Sequence, residues 1–243
     1  MSVIPLHPDG CRSGLPGVPD RRFGNARPEW HLRADLNGAS KVVASGVMNT
    51  PERHGEGPPV TLSDGVVLLR PWIFSDASFM AEAATDPAIQ RYNSPAPSSV
   101  ADALSNIEGI AQRWRSFEVD GDPTGVAFAV IDAASGEPVG MCGIDHWSGT
   151  DVAQFGYWLA AVARGRGFAT RSVRLMTSWL FERGAARVFL TIETENATSA
   201  AVARRAGFTY EGTLRAYGLW QGQRQDVDVF AVLPEEWPAA NDR

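Results

Sequence analysis

The order of apolar patterns along the chain predicts one α/β domain, a mixed central sheet with helices on both faces. Three observations carry this. Three apolar runs, 126–132, 138–147 and 153–159, follow one another through short turns, as strands in a meander do. A helical stripe, Ala169, Val173, Met176 and Leu180, then separates 153–159 from the next strand, 187–192, which is room enough for a parallel crossover. A second helix, 196–207, precedes two further strands at 208–211 and 227–233. Hairpins in one half and strand–helix alternation in the other give a sheet of mixed direction.

Taken in order, the domain begins near Val60. A strand at 66–70 ends at Pro71. Asp76 is placed to cap a helix over 77–84, which must stop before Asp86-Pro87. The spacing of Val100, Leu104, Ile107 and Ile110/Ala111 predicts a helix over about 99–117. Ser135-Gly136 and Gly149-Thr150 supply the meander turns. Gly184 stops the next helix, Asn196 caps the one after it, and Gly207 ends that. No internal repeat is visible.

Residues 1–59 differ in kind. They hold 8 of the 16 prolines and 8 glycines without apolar periodicity, and are expected to form a disordered extension. A natural start at Met48 is a second reading of the same segment. The folded domain is expected over 60–237, with 238–243 as a tail. No run reaches the ~18 apolar residues of a membrane span, and the N-terminus lacks the apolar stretch of a secretory signal. Cys11 and Cys142 lie in unlike contexts, so a disulfide framework is not expected, and a cytoplasmic location is. Gly140-Met141-Cys142-Gly143 is no nucleophile elbow, and Cys142 reads as a buried thiol inside a strand. No metal-ligand spacing is present.

Residues 60–243 carry 15 Arg and 22 Asp or Glu; the only Lys of the chain is Lys41. An acidic domain argues against general nucleic-acid binding. Against it stands a basic cluster, Arg164, Arg166, Arg171, Arg174, Arg204 and Arg205, which suits a polyanionic ligand or a solvated helix face. Its centre is Arg164-Gly165-Arg166-Gly167-Phe168-Ala169, between the strand 155–159 and the helix from Thr170. Small residues there let the backbone approach a ligand, and the amides of a helix start favour a phosphate.

This R-x-x-G-x-A stretch resembles the pyrophosphate loop of the GNAT N-acetyltransferase superfamily. Phe155-Gly156-Tyr157-Trp158-Leu159 matches the family's strand before the loop. Glu193-Thr194-Glu195-Asn196, Asn196-Ala197-Thr198-Ser199, Ala206-Gly207-Phe208 and Tyr210-Glu211-Gly212 follow at family spacing. Leu69-Arg70-Pro71-Trp72 and Asp86-Pro87-Ala88-Ile89 resemble the branch that contains the ribosomal-protein N-terminal acetyltransferases. The resemblance runs from about 60 to 237.

The resemblance implies a V-shaped splay between the two central strands. It implies acetyl-CoA or another acyl-CoA as acyl donor, with no metal, and a small-molecule amine or protein N-terminus as acceptor. The pantetheine arm would pair with backbone from Trp158 through Leu159 and Ala160 to Ala161. An N–H near Leu159 would stabilise the oxyanion. Arg164, Arg166, Gly167, Phe168, Ala169 and Thr170 would form the pyrophosphate loop, and Asn196 would bond the arm or serve as a cap. Many members place an acidic tyrosine where this chain has Ala203, which leaves Ser199, beside the bound thiol, or Tyr217, read as a loop residue, to protonate the leaving thiolate. The family's carboxylate near 154 is here Gln154, so the base falls among Asp145, His146, Glu193 and Glu195, with His146 favoured by its pKa range, or to bulk water. Trp147, Trp158, Tyr217 and Trp220 are candidate walls of the acceptor site. The competing reading is a non-catalytic acyl-CoA-binding regulatory module on the same fold; transfer to a hydroxyl, or of a longer acyl group such as succinyl, is a third.

Overall fold

The computed structural model describes residues 60–92, 96–147, 151–220 and 222–237. The expected extension at 1–59 and the tail at 238–243 lie outside them. Eight strands form one sheet: β1 (Leu62–Ser63), β2 (Val67–Pro71), β3 (Ala127–Asp132), β4 (Pro138–Trp147), β5 (Val152–Leu159), β6 (Arg187–Glu193), β7 (Thr209–Trp220) and β8 (Gln223–Val232). Their order in the sheet is β1-β2-β3-β4-β5-β6-β8-β7. All neighbours are antiparallel except β5 and β6. The parallel pair needs the crossover supplied by α4 (Phe168–Glu182), as the sequence predicts.

Helices cover both faces. Met176 and Leu180 of α4, with Ala203 of α5 (Ala197–Ala206), pack on the face that carries Phe155, Tyr157 and Leu190. Met80 of α1 (Ala77–Ala83), with Ala103 and Ile107 of α3 (Val100–Asp120), pack on the face that carries Ala129, Ile131 and Trp158. Edge-on ring contacts anchor the first layer: Phe128 lies 4.9 Å from Trp114 and 5.5 Å from Trp179. Such pairs add about 0.5–1.5 kcal/mol beyond the area they bury.

Local chemistry explains where elements start and stop. Ser99 caps α3, its Oγ accepting the Asp102 N–H at 3.1 Å. Asp76, expected to cap α1, turns away from it. Its carboxylate accepts both Arg70 Nη1 and Nη2, at 2.7 and 2.9 Å, and the Ile73 N–H at 3.1 Å. A bidentate guanidinium is a stronger partner than one amide. The short helix α2 (Pro87–Tyr92) starts on the proline that the sequence offered as a stop, because proline suits the first turn of a helix as well as the end of one. The hairpin β7–β8 is longer than expected. Register shifts at Tyr210/Gly212 and Leu214/Gly218, and Ala216 at φ 53°, break the periodicity that would have marked it as strand.

Candidate active site

β5 leaves its neighbour halfway along. Val152, Ala153 and Gln154 pair with Arg187, Val188 and Phe189 of β6, and no register pair follows. This is the expected splay. On its other side β5 stays paired with β4 as far as Leu159, and the next N–H, of Ala160, donates to Val139 O at 2.9 Å. Strand alternation therefore turns the N–H and C=O of Leu159 toward the gap. The carbonyl accepts Arg164 Nε at 3.1 Å and Nη2 at 3.0 Å. The Leu159 N–H is left as a donor facing the gap. Gly140 makes this approach of β4 and β5 possible: a Cβ there would stand 2.2 Å from Trp158 O.

The start of α4 closes one end of the gap. Gly165 and Gly167 have φ of 77° and 83°, and a Cβ on either would meet nothing within 4 Å. The loop is exposed and the space outside it is open. The first bond of the helix is from Arg171 N–H to Gly167 O, 3.2 Å. The amides of Phe168, Ala169 and Thr170 thus have no partner within the helix, and the helix dipole favours an anion on them.

The arginine side chains are arranged otherwise than the sequence suggested. Arg164 Nη2 is 2.5 Å from Asp86 Oδ2. Arg166 Nη2 is 2.9 Å from Asp132 Oδ2, and its guanidinium stacks 4.5 Å from the Phe168 ring. Arg171 pairs with Asp64 at 2.7 Å, and Arg174 donates to Arg205 O at 2.7 Å. The basic cluster is largely held by the domain's own acceptors, remote in sequence, and the anion-binding element that stays open is backbone.

Ser199 and Asn196 come together at the start of α5. Asn196 Oδ1 accepts the Ser199 N–H at 3.1 Å, so the cap role is real, and the Asn196 Nδ2 donors are not used by it. Ser199 is buried, its Oγ 3.0 Å from the Tyr157 hydroxyl of β5. Burial raises the Tyr157 pKa, so this phenol stays protonated. Sequence reasoning used Tyr157 only as a motif match; its alternation on β5 toward the α5 face was the available signal.

The opposite face of the gap carries a polar row. His146 is half-buried near the end of β4 and is the register partner of Gln154. Gln154 is buried; its Nε2 donates to Thr191 Oγ1 at 3.2 Å, while its Oε1 has no partner. Two residues on from Thr191 along β6, Glu193 is also buried, and burial raises its pKa although Arg91 Nη2, 3.8 Å away, opposes that. Arg91 bonds Glu195 at 2.7 Å. Arg91 and Gln154 Oε1 were not anticipated, since each matters only through a partner on another element. Asp145 is the bulged residue between Ile144 and His146; its Oδ2 is shielded without a partner, and burial pushes its pKa up to about 8. Cys142 is buried, and its thiol pKa is raised first by burial and then by Asp145. Trp158 is core rather than wall, 6.3 Å from Trp72 and 6.1 Å from Phe79. Tyr217 lies in β7, not in a loop, and is exposed. Among the described residues no cluster of three or more His, Cys, Asp or Glu is placed to hold a metal ion, and no helix is long and apolar enough to cross a membrane.

Comparison with known proteins adds an independent line. The family model described as an acetyltransferase (GNAT) domain matches residues 67–209. YdaF of Bacillus subtilis (strain 168), provisionally named a ribosomal N-acetyltransferase, is 33% identical over 86 residues, 35% of this chain and 47% of its own length. This chain therefore matches about half of that relative. The structure of Mycobacterium smegmatis RimJ in complex with CoA-disulfide is 26% identical, with a TM-score of 0.63, covering 74% of this chain and 90% of that one. The Microcin C7 self-immunity acetyltransferase MccE, in complex with acetyl-CoA and AMP, shares the fold at 20% identity and a TM-score of 0.60, covering 70% and 93%.

Proposed function

From the chain's membership of the GNAT acetyltransferase family, we propose that it transfers acetyl from acetyl-CoA to a primary amine, a peptide N-terminus or a small-molecule amine, by direct attack. The observation that carries this reading is the single strand edge, Leu159, turned into a gap that ends on open helix amides. A pantetheine arm added along β5 would place its thioester against that donor. The amides of Phe168 to Thr170 would take the pyrophosphate, and the Asn196 Nδ2 group would bond the arm. The RimJ complex supports the use of CoA. The name of YdaF favours a protein N-terminus as acceptor.

In this reading Ser199 donates its hydroxyl proton to the departing thiolate, because it lies at the start of α5 on the gap and Tyr157 can donate to its oxygen. Tyr217 and His146 are then walls of the acceptor side rather than proton carriers. The test is mass spectrometry of a panel of peptides with free Ser, Ala or Met N-termini, spermidine and glucosamine, incubated with acetyl-CoA and the protein. A mass gain of one acetyl group on any of them is expected. Tight CoA binding with no acetylation and no thiol release would instead identify a binding module.

A further inference from the structure

Catalysis by amine attack requires a group that takes the ammonium proton. We infer that the acceptor's ammonium docks between Gln154 Oε1 and the Glu193 carboxylate, and that Glu193 is the base that deprotonates it. The inference rests on the amine-transfer reading above and names the site that performs it.

Two independent observations meet at this place. Gln154 is 1% exposed and its Oε1 has no hydrogen-bond partner, an unfilled acceptor in a buried position. Such groups are rare because each costs the desolvation it is not repaid. Its other end, bonded to Thr191 Oγ1, fixes the amide over the point where β5 and β6 part. Glu193 follows Thr191 by two residues on β6, so both face the same side. That spacing is roughly 6.6 Å along the strand. One ammonium bonded at about 2.8 Å to each of two acceptors spans less than this, so the Gln154 amide and the Glu193 carboxylate must lean toward one another to share it. A row of buried acceptors, one of them without a donor, fits a cation.

The placement suits the chemistry. Tyr157 and Ser199 lie on the α5 face of the split sheet, Gln154 and Glu193 on the other. The thioester carbon would lie in the gap between them, attacked from one side and losing sulfur toward the other. Glu193 takes one proton from the ammonium. The free amine forms the C–N bond, and the C–S bond breaks with its electron pair on sulfur. Ser199 protonates the thiolate and is reprotonated by the second proton lost from nitrogen. Glu193 returns its proton to solvent. The sum is ammonium plus thioester giving amide, thiol and one proton.

Among the described residues, Arg91 and Glu195 are the charged groups that act on Glu193. Against the burial that raises the Glu193 pKa, Arg91 of α2 favours the ionised carboxylate, Glu195 opposes it, and His146 shares the face beside Gln154. On β8, Asp226 and Asp228 are turned to Ala216 N–H and Thr213 Oγ1. Burial raises the Glu193 pKa, which brings a carboxylate closer to the range of a useful base.

The test takes whichever peptide or amine of the panel the protein acetylates and measures kcat and KM against pH. Glu193→Gln should lower kcat by about 10²-fold or more and remove the fall in rate toward acid pH. Melting temperature and CoA affinity, read by calorimetry, should stay near wild type. Gln154→Met should raise the acceptor KM about tenfold with a smaller effect on kcat. Arg91→Gln, which removes the opposing charge, should move the acid limb to higher pH, a shift that a purely structural role would not give. A folded Glu193→Gln protein that keeps its kcat and its acid limb overturns the inference and leaves the amine-transfer reading standing. Absence of turnover with every acceptor in wild type overturns both.

Discussion

The Tyr157 hydroxyl of β5 and the Ser199 hydroxyl of α5 lie 3.0 Å apart, joining the two elements that flank the open gap. Both are buried, and Ser199 is tied from its other side by the Asn196 cap. In this pair the phenol can donate to the serine oxygen. Ser199→Ala is expected to lower turnover by about 10²-fold with CoA affinity changed only a few-fold, since a bond that strengthens as charge reaches sulfur appears in the rate. Tyr157→Phe should lower turnover less, by about tenfold. Steady-state kinetics together with melting of both variants checks this; unchanged turnover in folded Ser199→Ala would remove the proton-donor role.

Gly167→Asp should abolish CoA binding in a folded protein. The side chain would enter open space, so packing is spared. Its charge would oppose an anion at the helix start, and Asp tolerates positive φ better than most residues. Calorimetric titration with CoA reads the loss, and wild-type affinity would detach the loop from the donor.

Gly140→Ala should destabilise the domain by ~1–3 kcal/mol, the range for overpacking. The obstacle is the backbone oxygen of Trp158, which cannot rotate away as a side chain would. The strands must separate there, and the Leu159 N–H moves with them. Denaturant unfolding measures the first effect, and a rise in the KM for acetyl-CoA measures the second.

Asp145 predicts a pH dependence of stability. Its pKa is about 8 in the fold against an ordinary 3.8, because burial penalises the charge. A group raised in this way stabilises fully below pH 4, and that contribution is lost as pH rises toward 8. The bulged residue is only partly covered as a whole. Asp145→Asn is therefore expected to stabilise by about 1 kcal/mol at pH 8.5, well under what the full shift would give. The gain should shrink toward pH 4. Melting at both pH values checks the sign; an equal effect at both would exclude titration.

Much of this was legible in the sequence, and the rest had identifiable reasons to hide. The stripe Ala169, Val173, Met176 and Leu180 marked α4, and the glycines at 165 and 167 marked its anion-binding start, because both signals are local. The end of β7 was misread because Gly212, Ala216 and Gly218 imitate a loop in a bulged strand. Arg164 and Arg166 read as ligand groups because their carboxylates, Asp86 and Asp132, are 78 and 34 residues away. Gln154 read as a departure from the family; only in the fold is one end of its amide satisfied and the other empty.

The three-residue junction of β5 and β6 has a consequence for the protein before it meets its donor. A strand in the middle of an eight-stranded sheet behaves, along half its length, as an edge. Edges invite pairing with other chains, and natural proteins blunt them with charge, proline or a cover. Here the cover would be the pantetheine arm of the donor. Amides of β5 that face the gap should exchange with solvent faster than their neighbours that face β4, an alternating pattern that saturating CoA would erase. Aggregation on warming should fall with CoA concentration by more than the gain in melting temperature accounts for.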